Sequence, residues 1–188
     1  FQGDKKSVKF DLLTKINMLF SVSSITNVLR IFSWHYFLIP LSLLLIVVIL
    51  ICLIRINQLT SHEQFTLKEK FFIRLPFSVY FGWITVATIA NATTLLVHFG
   101  WKGFGLSEPI WVVRVHIIGM LIVTVTLFKN RDIAHGLVLI WAYLGIYLKH
   151  SAASGFSYQC PAVMYTVIAC IAIFIITMVY MHFSNKKI

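Results

Sequence analysis

Between Arg74 and Phe99 the chain carries no aspartate, glutamate, lysine or arginine. A helix needs roughly 20 predominantly apolar residues to cross the hydrocarbon of a bilayer, and this run is long enough. A second run, 37–56, is nearly pure Leu, Ile and Val (Leu41, Leu43, Leu44, Leu45, Ile46, Val47, Val48). In hydrocarbon every backbone N–H and C=O has to be satisfied internally, which leaves helices or closed barrels. The residue-by-residue alternation of a barrel strand is missing. The fold class that follows is all-α, a polytopic transmembrane helical bundle.

Hydrophobic residues make up 59% of the sequence and charged residues 12%, far from the balance of a soluble domain. Apolar runs and their breaks predict about six spans, at 15–36, 37–56, 71–99, 110–128, 133–149 and 161–183. Pro40 suits the opening turn of the second helix. Residues 57–70 form a polar loop, 100–109 a glycine-rich irregular loop with Pro109, and 151–160 a small-residue loop. Phe1-Gln2-Gly3 reads as the remnant of a cleavable tag, and 4–11 as a charged interfacial lead-in. From residue 4 to 188 the chain reads as a single membrane domain.

A net charge of +10 would suit nucleic acid, but its placement argues against that partner. On one side of the six spans fall Lys5, Lys6, Lys9, Lys15, Arg55, Lys68, Lys70, Arg74, Lys129, Arg131, Lys186 and Lys187; on the other, only Lys102 and Lys149. Arg30 and Arg114 lie within helices. Such a bias places both ends in the cytoplasm. It also sets Trp34, Tyr36, Trp101, Trp111 and Tyr158 at the outer boundary, where amphipathic rings gather.

Within 75–91, LPFSVYFGWITVATIAN, the residues Trp83, Ala87 and Asn91 recur at i, i+4 and i+8 and share a helical stripe. An indole gives a flat apolar wall, a small residue admits close approach, and a carboxamide fixes orientation. The same stripe also suits helix packing, with Asn91 bonded to a neighbour. Arg114, at VVRVH, either snorkels to the outer headgroups or anchors a carboxylate; Arg30, three residues after Asn27, faces the same choice. His35, His98, His116 and His150 lie near the outer side, as interfacial residues or as a pair ligating haem iron. Cys52, Cys160 and Cys170 show no metal or redox spacing. Nucleophile elbow, HExxH and phosphate-loop motifs are missing, and no acid occurs within a span, which disfavours an enzyme or a proton-coupled carrier.

The stripe resembles the tryptophan-rich sensory protein family (TspO/MBR), the bacterial relatives of the translocator protein. In that family a Pro-aromatic pair precedes a W-x3-A-x3-N pattern, and here Pro76-Phe77 and Trp83-x3-Ala87-x3-Asn91 stand in those places. Pro76 lies about one turn further from the tryptophan than is usual. Asn27 matches an asparagine of the preceding family helix, and Arg30 replaces the tryptophan expected three residues later. The longer run is similar to a divergent bacterial branch. The resemblance covers roughly 20–91, leaving the fourth to sixth helices outside the family's five-helix pattern. The family's first two helices then lack a counterpart, as in a chain that begins partway through a longer protein. It implies a small bacterial cell-membrane bundle, often a homodimer, that senses, binds or transports a tetrapyrrole or sterol-like hydrophobic small molecule. By position Trp83, Ala87, Asn91 and Asn27 would line the cavity, with Arg30 and Arg114 available to an anionic group. A tetrapyrrole would be ligand rather than resident cofactor, and no metal ligand set is implied. Two other readings follow from the residues alone: a small-molecule transporter or transporter subunit, and a haem-ligating membrane protein.

Overall fold

The computed structural model describes residues 2–61 and 63–184, with side chains from residue 9 onward. Phe1, Lys186 and Lys187, and the side chains of Gln2, Lys5 and Lys6, lie outside the described residues. All regular structure among these residues is helical. We number the long helices α1 (Gln2–His35), α2 (Ile39–Ser61), α3 (Leu67–His98), α4 (Glu108–Asn130), α5 (Ile133–Ser151) and α6 (Pro161–Ser184). All six are long and apolar enough to cross a membrane, so the chain is an integral membrane protein. The charged lead-in is itself helical, which starts α1 well before residue 15. The chain divides into two compact units, Phe1–His98 and Phe99–Ile188.

In the first unit α2 packs against both α1 and α3. Its buried residues Ile39, Ser42, Ile46, Ile49, Leu53, Ile56 and Thr60 alternate spacings of three and four, the seam of a left-handed helix pair. The buried positions of α1, Leu12, Ile16, Ser23, Thr26 and Ser33, follow the same period once the half-buried Leu19 and Arg30 are added. The first part of that seam is apolar, and the later part is hydroxylic apart from Arg30. Hydroxyls of Ser23, Thr26 and Ser33 each donate to a carbonyl of their own helix at 2.8 Å, so they are satisfied locally and let helices approach closely. α1 and α3 meet through Lys9–Glu69 at 2.7 Å and Phe20–Phe77, with ring centroids 5.6 Å apart.

Two connections explain themselves locally. α1 ends on Phe37 with φ 57°, while Leu38 N–H reaches back to the Ser33 carbonyl at 2.8 Å, the six-to-one bond of a Schellman stop. α3 opens with a capping box, Thr66 and Glu69 satisfying each other's backbone N–H, then widens into a π-helical turn at Lys70–Arg74. That turn stands directly before Pro76. A proline inside a helix lacks an N–H and its ring crowds the carbonyl four residues back, a common cause of such irregular turns.

In the second unit α6 takes the central place, packing against α4 and α5. Its buried residues Val163, Val167, Cys170, Phe174, Thr177 and Met181 repeat the four–three spacing. α4 contributes Gly119, Val123 and Leu127, and α5 contributes His135, Gly136, Leu139 and Tyr143. A Cβ on Gly136 would stand 2.6 Å from Met178 Sδ and 3.2 Å from Leu127 Cδ2, so three helices converge where a side chain would force Met178 and Leu127 to shift. Further along, Tyr143 donates its hydroxyl to the His116 carbonyl at 3.0 Å and sets its ring edge-on to Phe174 at 5.2 Å. α4 stops at Arg131 in the left-handed region, and Asp132 caps α5 by accepting from His135 N–H at 3.2 Å.

Candidate functional site

The stripe on α3 is helical as the spacing requires, yet its three residues meet different surroundings. Four residues overshoot one turn of a 3.6-residue helix by about 40°, so the stripe winds around α3. Trp83 is 48% exposed on the surface of the first unit. Ala87 packs against the unit's apolar core. Asn91 turns toward α2, its Oδ1 accepting from Ser42 Oγ at 3.3 Å and its Nδ2 donating to the Ala87 carbonyl at 2.8 Å.

On α1, Arg30 Nε donates to Asn27 Oδ1 at 3.2 Å, and both side chains are half-buried. Arg30 also lies near Tyr80 on α3, one turn before Trp83. Within this unit, then, Asn27 pairs with Arg30, and Asn91 joins α3 to α2. Tyr80 and Ser42 were not singled out from the sequence. Their signal was there, each being a polar group within an apolar run, but which helix they face is a tertiary fact. A half-buried guanidinium beside an amide offers directed donors for a carboxylate, and Trp83 beside Ala87 offers a flat ring next to a short side chain.

Arg114 belongs to the second unit. It is exposed on α4, on the same side as Ile117, Ile118 and Leu121, which are exposed as well, and it makes no ion pair among the described residues. Of the four histidines expected near one membrane boundary, His116 holds its Nδ1 2.7 Å from the Val112 carbonyl, which fixes that nitrogen as the N–H donor. His150 stacks on Phe156 at 4.5 Å. His35 meets Tyr36 edge-on. No group of three or more His, Cys, Asp and Glu suited to a metal occurs among the described residues.

A cleft of about 620 Å³ opens at the opposite end of the first unit, lined by Asp11, Leu12, Lys15, Met18, Leu19, Arg55, Gln58, Leu59 and Glu63. None of Trp83, Ala87, Asn91, Asn27 or Arg30 lines it.

These features define a polytopic all-α membrane protein whose third helix carries a tryptophan–alanine–asparagine stripe. The chain belongs to the family described as TSPO-like protein, which it matches over residues 1–180. The match takes in α4, α5 and most of α6, so the family pattern extends well past the 20–91 segment that carries the motif. No curated protein and no solved structure matches the chain.

Proposed function

We propose that this protein is a membrane sensor or binding protein for a flat, hydrophobic small molecule of the porphyrin or sterol-like class. Family membership over residues 1–180 is the observation that carries the reading. The ligand's ring lies against Trp83, Ala87 lets it approach the α3 backbone, and Asn91 orients a polar edge through the acceptor lone pair left beside the Ser42 bond. Arg30, held by Asn27, receives an acidic substituent such as a propionate. Exposure of Trp83 supports access from the bilayer, the phase in which such ligands partition.

Titration of the purified protein with protoporphyrin tests this. Saturable quenching of tryptophan fluorescence is expected, together with an absorption band that does not respond to reductant. A Soret band from iron porphyrin that shifts on reduction would instead indicate axial ligation by histidine. Counterflow of a solute across liposomes without saturable porphyrin binding would indicate a carrier.

A further inference from the structure

The cleft between the start of α1 and the end of α2 combines an apolar floor with a charged rim. Leu12, Leu19 and Leu59 supply the floor, the exposed Met18 flanks it, and Lys15, Arg55, Asp11 and Glu63 supply the rim. Lys15 Nζ lies 2.7 Å from Asp11 Oδ2, and Arg55 Nη1 donates to Gln58 Oε1 at 3.3 Å. Lys15 and Asp11 are exposed, so their pairing is readily exchanged for contacts to a ligand. The cleft sits where the apolar run of α2 gives way to the polar segment before α3, which is the depth of lipid headgroups.

We propose that this cleft binds a phospholipid whose headgroup carries both a phosphate and a primary ammonium. Two cations suit the phosphate, with Arg55 able to offer paired N–H donors. Two carboxylates suit an ammonium with hydrogens to donate. Formal charge on the rim balances, so an anionic headgroup without an ammonium meets repulsion from Asp11 and Glu63 that a zwitterionic one turns into attraction. At about 620 Å³ the cleft is far larger than a phosphate ion and falls within the range of ligand sites, and its leucine floor, flanked by Met18, offers apolar surface to an acyl chain. This site is distinct from the α3 stripe and does not rest on the function proposed above.

Native mass spectrometry of the full chain in a nonionic detergent tests the assignment, with phosphatidylethanolamine, phosphatidylglycerol and inorganic phosphate as probes. Phosphatidylethanolamine is expected to remain bound several-fold more than phosphatidylglycerol, and inorganic phosphate is expected not to displace it. Arg55→Gln and Glu63→Gln should each lower its retention about threefold to tenfold, the size expected of a partly exposed charge-assisted contact. Leu59→Trp, which fills the floor and leaves the rim charges in place, should lower retention as well. Lys149→Gln, in the other unit, should leave it unchanged. Equal retention of both lipids with no response to the rim variants would overturn the proposal, as would displacement by inorganic phosphate. A loss confined to Leu59→Trp would also overturn it, because the headgroup would then play no part. Melting temperature without lipid is measured on every variant, and the preference of the parent protein for phosphatidylethanolamine over phosphatidylglycerol carries the test should a rim variant fail to fold.

Discussion

An asparagine inside a membrane-spanning helix has to place its amide somewhere, and Asn91 divides it between Ser42 and the Ala87 carbonyl. The carbonyl oxygen accepts two hydrogen bonds and has one partner here, so helix packing and ligand orientation are compatible uses of one side chain. Arg30 and Arg114 look equivalent in the sequence, each an arginine in an apolar run. Their surroundings separate them. Arg30 is half-buried beside Asn27 and near Tyr80, whereas Arg114 stands exposed among aliphatic side chains. Arg30→Leu is therefore expected to weaken porphyrin binding by about 1.5–3 kcal/mol, the worth of a charge-assisted hydrogen bond, with Arg30→Lys recovering only part. Arg114→Leu should leave affinity within about twofold, since a snorkelling side chain spends its charge on headgroups. Fluorescence titration of the three variants decides it. Equal losses in Arg30→Leu and Arg114→Leu would make both arginines ligand anchors.

Helix positions were legible because hydropathy alone sets them: each of the six runs in the sequence became one helix, with ends shifted by loops and lead-ins that are themselves helical. Packing was less legible. Nothing in the sequence announces that α2 and α6 are the central helices of their units, although their buried residues keep a three–four spacing throughout. That period hides in α2 and α6 because the residues between the seam positions are equally apolar, as lipid demands. In α1 the seam includes serine and threonine, which read as mere polarity until their hydroxyls are seen bonded to their own helix. The π-helical turn before Pro76 escaped for a related reason, since a proline signals a break without saying how the chain absorbs it. The candidate face on α3 was legible as a stripe, but the partition of Trp83 to the surface and Asn91 toward α2 was not. Glycines offer a sharp test at this scale. Gly136→Val should destabilise the protein by about 1–3 kcal/mol through overpacking against Met178 and Leu127. Gly145→Ala meets nothing within 4 Å and should stabilise it by about 0.5–1 kcal/mol through helix propensity. Thermal melts in detergent give both, and equal tolerance at the two sites would contradict the packing described for α4, α5 and α6.

For the whole molecule, the many exposed Leu, Ile, Val and Phe side chains make sense only with a bilayer as solvent, and family membership extends nearly the length of the chain. The charge asymmetry predicts its orientation. Single cysteines at Lys68 and Lys129 should be protected from an impermeant reagent added outside cells, and cysteines at Lys102 and Lys149 should react; labelling at Lys68 from outside would reverse the assignment. The central claim, that the α3 stripe of this TSPO-like protein receives a flat ligand, is tested most directly by protoporphyrin titration and melting temperature measured together on Trp83→Ala, Asn91→Leu and Ala87→Phe. Trp83→Ala removes the wall, Asn91→Leu removes the orienting amide at similar volume, and Ala87→Phe fills the space the small residue leaves. Weakened binding in all three, with Trp83→Ala still melting close to the parent, is the result the account predicts. Lowered melting temperatures in all three with unchanged affinity in the folded fraction would show the stripe to be a packing seam and nothing more.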